Sequence, residues 1–238
     1  MSFPAPRLSV VERTRSGDEE TRRIAFATII DAYWKPVYKY LRLRWSLSPD
    51  EAADVTRDFF TTALEKDVVQ QYDPGQARFW THLRLCLDGF ASNAEKPEHR
   101  LKPGDGITRV PLDFVSAERD LRRHEKALNI DVDELFYREW VRALLERCLV
   151  DLKRHADVAG RSVMFDVFAR YDLIDDVKAR PTYADIARTL NLTPATVTNH
   201  LAAMRRQYRS ILLERLRELT SSDEEWEVEA AGLLDHSP

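Results

Sequence analysis

The chain is poor in glycine and cysteine, with seven Gly and two Cys in 238 residues. So little glycine weakens a phosphate-loop enzyme reading, and the balanced composition excludes collagen-like and low-complexity classes. Cys86 and Cys148 each sit in an apolar helical pattern with no CxxC or Cys/His spacing beside them. They read as reduced, buried thiols, which sets the expectation of a cytoplasmic protein. No apolar run reaches the roughly 18 residues of a membrane span. The first twenty residues also lack a basic stretch followed by a signal-length apolar run, so neither secretion nor a membrane is expected. The six histidines (82, 99, 124, 155, 200, 236) fall in no HExxH, zinc-ligand or Ser/His/Asp context. The chain is therefore not expected to be an enzyme: no catalytic residue, metal or cofactor is assigned.

What is present is helical patterning with uneven charge. Hydrophobic residues make up 44% and charged residues 32%, with a net charge of −4 that argues against indiscriminate polyanion binding. From Arg180 to Thr220 there are seven Arg against Asp185, Glu214 and Glu218, whereas Ser221 to Pro238 holds six acids and no Lys or Arg. A basic segment thus precedes an acidic tail. In the tail Trp226, Ala230, Leu233 and Leu234 keep a helical spacing, which fits a short amphipathic helix that covers the domain of residues 135–220 before it or binds a partner. The composition favours a disordered solubilising end.

Phe26, Ile29, Ile30, Tyr33, Trp34, Val37, Tyr38 and Leu41 recur at three- and four-residue steps, and Pro36 predicts a kink or a break near Trp34. Ser48-Pro-Asp-Glu51 combines a cap, Pro at the first helical position and Glu three residues past the cap, predicting a helix to about Glu65. Tyr72-Asp-Pro-Gly75 reads as a turn before a helix from Phe79 to about Asn93. Residues 95–134, with Pro97, Pro103-Gly-Asp-Gly106 and Pro111, lose the pattern and read as a linker with short local structure. Helical spacing returns at Leu135.

The strongest local pattern is Thr182-Tyr-Ala-Asp-Ile-Ala-Arg-Thr-Leu-Asn-Leu-Thr-Pro-Ala-Thr-Val-Thr-Asn-His-Leu201, which has the apolar spacing of a helix-turn-helix. Thr182 with Asp185 caps the first helix, Asn191 suits the left-handed turn, and Thr193-Pro194 starts the second helix. Val197, Leu201, Met204 and Tyr208 share one side of that helix. The residues left for DNA are Thr196, Thr198, Asn199, Arg205, Arg206 and Arg209. Small hydrogen-bonding groups near the helix start are suited to base edges, and the later arginines to phosphate or guanine.

A second pattern lies upstream. Ala25-Phe-Ala-Thr-Ile-Ile-Asp-Ala-Tyr33, Val37-Tyr-Lys-Tyr-Leu-Arg42, Ser48-Pro-Asp-Glu-Ala-Ala-Asp-Val-Thr-Arg-Asp-Phe-Phe60 and Tyr72-Asp-Pro-Gly-Gln-Ala-Arg-Phe-Trp-Thr-His-Leu83 through Asn93 resemble domain two of bacterial RNA polymerase sigma factors of the extracytoplasmic-function (ECF) type. Residues 135–216 resemble domain four of the same family. The resemblance implies an all-α fold with two helical domains joined by a linker. The segments would be an N-terminal extension (1–20), sigma domain two (21–94), linker (95–134), sigma domain four with the helix-turn-helix (135–220) and acidic tail (221–238). It also implies core RNA polymerase and promoter DNA as partners, with domain two opening the minus-ten element and domain four reading the minus-thirty-five element.

On this resemblance the helix from Ser48 to Glu65 would bind the polymerase clamp through Asp54, Arg57 and Asp58. The family usually carries consecutive acids followed by Gln there; Ala53 and Arg57 replace one acid and the Gln, which weakens a charge-complementary interface. Thr56 is then a candidate phosphosite, because phosphate would restore negative charge, as in a Ser/Thr-kinase-linked subgroup; Thr61 and Thr62 are competing acceptors. A Ser/Thr protein kinase or an anti-sigma protein would be the regulatory partner. Arg78, Trp80, His82 and Arg84 match the part that captures unstacked promoter bases, where aromatic rings beside cations suit single-stranded DNA. One of Phe79 and Trp80 is expected in the core and one at the surface. Asp88 and the scarcity of cations between 85 and 95 depart from the family. Two other readings stay open: a helix-turn-helix regulator that acts without polymerase, and a polymerase-binding adaptor that has lost promoter contacts.

Overall fold

The structure is a computed structural model that describes residues 9–65, 68–69, 71–94, 112–124, 131–174 and 176–235. Among these it is all-α, with ten α-helices and no strand. Most of the expected linker lies outside the described residues. Contacts divide the chain into two compact units, one drawn from residues up to Ala143 together with Arg217–Glu229, the other from Leu144–Leu216 and the residues from Ala230. The divisions fall inside long helices rather than in the turns between them.

In the first unit, α1 (Val10–Arg13) is closed by a Ser9/Glu12 capping box. Helix α2 (Glu19–Arg44) starts at Asp18, whose carboxylate accepts from the Thr21 backbone N–H at 2.9 Å. Five consecutive residues, Val37 to Leu41, are buried, which a helix achieves only when neighbours surround it. Pro36 lies inside α2 and does not divide it, so of the expected kink or break the break does not occur. The missing N–H costs one hydrogen bond. Burial of Tyr33, Val37, Tyr38 and Leu41 on both sides of the proline holds the helix in register. Helix α3 (Pro49–Glu65) begins with the expected Ser48/Glu51 box: the Ser48 N–H donates to Glu51 at 2.9 Å and the Glu51 N–H to Ser48 Oγ at 3.3 Å. Helix α4 (Phe79–Ala94) buries Phe79, Leu83, Leu87 and Ala91, one residue per turn.

Helix α5 (Phe114–His124) comes from the segment read as linker and buries Ala117 and Leu121. Phe114 meets Trp34 edge-on and Tyr38 at ring separations of 5.4 and 5.1 Å. The start of α6 (Val132–Val158) also belongs to this unit, where Trp140 stacks on Tyr33 at 6.3 Å. Every cation on the buried sides of α2 is paired: Lys39 with Glu139 at 2.7 Å, Lys35 with Asp120 at 2.7 Å, and Arg42 with Glu118 at 2.8 Å. Burial, then the hydrogen bond to Glu118, pushes the Tyr38 hydroxyl up to about 12. The Arg42 guanidinium holds the Glu118 carboxyl down at about 2.

In the second unit, α6 contributes Leu144, Cys148, Leu152 and Ala156 to the core and turns at Gly160, whose φ of 66° is in the left-handed region that glycine tolerates. Cys148 is buried, and that burial pushes its thiol up to about 12; Cys86, in the first unit, is half-buried. Helix α7 (Ser162–Asp172) and a 3-10 turn (Val177–Ala179) lead to α8 (Tyr183–Leu190) and α9 (Pro194–Leu219). Buried Asp151 on α6 accepts from Arg215 on α9 at 2.7 and 2.9 Å and from Arg154 at 3.1 Å. The acidic tail, expected from composition to be disordered, forms α10 (Asp223–Asp235), whose residues to Glu229 belong to the first unit and whose remainder belongs to the second. Its helix is explained by Glu229, Ala230 and Leu233, which are buried at one- and four-residue steps. Among the described residues no helix is long and apolar enough to cross a membrane.

Lys39 is 1% exposed, so removing its partner strands an ammonium in the core. Glu139→Ala is expected to cost roughly 3–5 kcal/mol in urea unfolding, and Lys39→Met combined with Glu139→Leu to recover most of it. Glu118 titrates lower when folded than its ordinary 4.5. Its contribution is therefore complete above that pH and drains away as pH falls toward 2. The stability-versus-pH curve of Glu118→Gln should lack that acid slope.

Candidate nucleic-acid interfaces

The helix-turn-helix is built from its own caps. The Thr182 hydroxyl accepts from the Asp185 N–H at 3.2 Å, and the Thr182 N–H donates back to the Asp185 carboxylate at 3.2 Å. Asn191 ends α8 in the left-handed conformation at φ 55° and ψ 48°, which Asn adopts at less cost than other side chains with a Cβ. Thr193 Oγ1 accepts from the Thr196 N–H at 3.1 Å and starts α9. Ile186 and Ala187 on α8 and Val197, Leu201 and Met204 on α9 are buried. The Tyr208 hydroxyl, half-buried, donates to the Leu145 carbonyl at 3.3 Å, and burial raises it above its ordinary range.

The opposite side of α9 is open. Thr198, Asn199, Arg206 and Arg209 are exposed, and Thr196 is half-buried. Arg205 is also at the surface, but its guanidinium is held by Asp172 at 2.7 and 2.9 Å, which raises it further. Asp172 is 3% exposed, so Arg205 serves α7 before it serves a phosphate. Sequence spacing missed the aromatic and basic cluster beside the start of α8. Tyr171 and Tyr183 meet edge-on at 4.8 Å, and Arg180 lies 5.0 Å over Tyr171.

On α3 the buried stripe is Ala52, Ala53, Thr56, Phe59, Phe60 and Ala63. Asp54 and Arg57 face out and pair at 3.0 Å; Asp58 is half-buried, and that burial, then Asp54, raises its carboxyl. Arg57 also lies 4.7 Å over the Phe114 ring, and with Asp54 it lines a groove of about 820 Å³ between α3 and α5. Thr56 does not join this face. It is 0% exposed and its hydroxyl donates to the Ala52 carbonyl at 2.6 Å. The position follows from spacing, since it stands one turn from both Ala52 and Phe60 on the core side. A phosphate there has no room, so the folded chain does not offer Thr56 as a phosphosite. Of the competing acceptors Thr62 is buried, whereas Thr61 is only half-buried, its hydroxyl donating to the Arg57 carbonyl at 3.0 Å.

At α4 the four expected DNA contacts separate. Arg84 is buried and holds Asp88 at 2.6 Å and also Asp133, so it is an internal ion-pair residue rather than a free cation. His82 turns to the Val68 carbonyl at 3.1 Å and packs on Tyr72. Phe79 is fully buried and Trp80 half-buried. Arg78 and Trp80 converge with Tyr137, a residue that sequence reasoning did not single out, around the carboxylate of Glu229 on α10. Glu229 accepts from Arg78 Nη1 at 2.8 Å, Trp80 Nε1 at 3.2 Å and the Tyr137 hydroxyl at 2.9 Å. The sequence signals were the acidic charge of the tail and its helical spacing, with Glu225 and Glu229 four residues apart.

No protein-family model, curated protein or solved structure matches the chain. The functional reading therefore rests on the residues themselves.

The placement of Thr56 has a direct test. Thr56→Glu puts a carboxylate into the α3 core and is expected to lower stability by more than about 3 kcal/mol. Thr56→Val removes only a locally bonded hydroxyl and is expected to stay within about 1 kcal/mol of the parent. Chemical denaturation of both variants checks this.

Proposed function

We propose that the chain is an alternative RNA polymerase sigma factor of the ECF type, directing promoter-specific initiation as a subunit of core polymerase. The observation that carries the reading is the helix-turn-helix, whose caps and left-handed Asn191 present an outward face of Thr198, Asn199, Arg206 and Arg209. The upstream resemblance to sigma domain two adds the polymerase partner. Exposed Asp54 and Arg57 on α3 support a polar docking face of the kind that resemblance assigns to the clamp. The face is weakly acidic, because Arg57 neutralises Asp54 within the helix. Thr56 has no part in this reading, since its hydroxyl faces the core.

In such an initiator the α9 face reads duplex DNA in the major groove. Asn199 and Thr198 lie near the helix start where base edges are reached, and Arg206 and Arg209 lie further along, where they meet phosphate. Arg205 contributes less, being committed to Asp172. The Arg78/Trp80 end of α4 supplies the cation and ring that hold an unstacked strand.

Co-purification with bacterial core polymerase and run-off transcription over a promoter panel test the reading. The expected result is polymerase association and promoter-dependent transcript. Asn199→Ala is expected to reduce transcript about tenfold or more at its own base position, and Arg206→Ala to weaken all promoters alike with a shallower salt dependence. Tight duplex binding by the free chain with no polymerase association would instead establish a stand-alone regulator. Polymerase association without promoter-dependent transcript would establish the adaptor.

A further inference from the structure

Within the first unit the acidic helix is seated on the basic, aromatic start of α4. Glu229 is 1% exposed and takes three donors, from Arg78, Trp80 and Tyr137. One helical turn earlier, Glu225 accepts from the backbone N–H of Phe79 at 3.0 Å, at the first residue of the sixteen-residue α4. The Trp80 and Tyr137 rings lie 5.2 Å apart at 46° and flank the carboxylate. The approach to α10 is pinned separately: Arg217 pairs with Asp223 at the start of α10 and lies 5.1 Å over Trp226.

Such a carboxylate pair has the donor requirements of a polyanion backbone. A phosphate needs a guanidinium and free backbone N–H groups, preferably at a helix start where the dipole is positive. An unstacked base needs an aromatic face beside it. Arg78, the Phe79 N–H and Trp80 from the first turn of α4, with Tyr137 from α6 beside them, supply both, and Glu225 and Glu229 occupy the charged positions. The match extends to chain charge, since α10 opens with Asp223, Glu224 and Glu225, which repel an incoming strand.

We propose that the Arg78–Trp80–Tyr137 cluster is a binding site for a phosphate and an adjacent unstacked base of single-stranded DNA, and that α10 is its built-in competitor. The assignment rests on the promoter-binding reading above and adds to it the residues Phe79 and Tyr137 and the segment that must leave. With α10 seated the site is closed; with α10 lifted, four donors and two rings are open to a strand. Apparent affinity for the strand is then the intrinsic affinity scaled by the fraction of chains with α10 lifted.

The test uses the full chain and a short fluorescein-labelled single-stranded DNA, read by anisotropy at fixed salt. Glu225→Gln combined with Glu229→Gln keeps the shape of α10 and removes the two carboxylate charges that meet the cluster, and is expected to bind at least about tenfold more tightly than the parent. Adding Trp80→Ala to that variant is expected to abolish the gain. Hydrogen–deuterium exchange of the unaltered chain gives a second measurement that needs no variant: saturating single-stranded DNA is expected to raise exchange across 223–235. Equal affinity of parent and double Gln variant, a gain that survives Trp80→Ala, or unchanged protection of α10 with DNA bound would each overturn the proposal. Polymerase association, measured in parallel on the same proteins, separates the two readings. A Trp80-dependent gain without polymerase binding leaves this site standing and removes the sigma reading. Polymerase binding without the gain does the reverse.

Discussion

The first unit depends on a helix with no solvent side from Pro36 to Leu41. Because Val37 to Leu41 of α2 are all buried, each cation among or beside them must find an acid, since an isolated ammonium in such a place is far too costly. Lys39 is the extreme case, and its acid comes from Glu139, a hundred residues away. Arg42 and Lys35 take theirs from α5. The geometry of the unit follows from satisfying these charges: α5 and the start of α6 are placed where their carboxylates are needed. Aromatic contacts between Tyr33 and Trp140 and between Tyr38 and Phe114 fill the space between.

The same rule of satisfying buried polar groups shapes the candidate interfaces. Arg84 looks like a DNA contact by position, yet it is buried and taken by Asp88 and Asp133. Arg205 lies on the recognition helix, yet it neutralises Asp172. Residue type and helical position alone over-count cations available to a polyanion. Arg206 and Arg209 remain exposed at the open side of α9, and the division of labour along that helix follows from which arginines the fold needs for itself.

The helix-turn-helix was legible because its determinants are local. Capping at Thr182 and Thr193, the left-handed turn at Asn191 and the apolar spacing of Val197, Leu201 and Met204 all act over three to seven residues, and all appear where spacing put them. The Ser48 box and the extents of α3 and α4 were legible for the same reason. Pro36 does not break α2 because the local penalty of a proline is outweighed by the burial on either side of it. Helix α5 was hidden because its partners, Tyr38 and Arg42, lie about 80 residues upstream. Thr56 was read from the charges around it rather than from the apolar stripe that contains it.

By itself the sequence determined the helical class, the caps and turns, the apolar faces and the split between a basic segment and an acidic end. These follow from dihedral preference and periodicity, which act along the chain. The tertiary structure decided which charges meet. Glu229 reaches Arg78 across 151 residues of sequence, and no local rule ranks that partner above the other cations of the chain. Only the packed helices fix which acid is buried beside which base, and burial makes that choice energetically decisive.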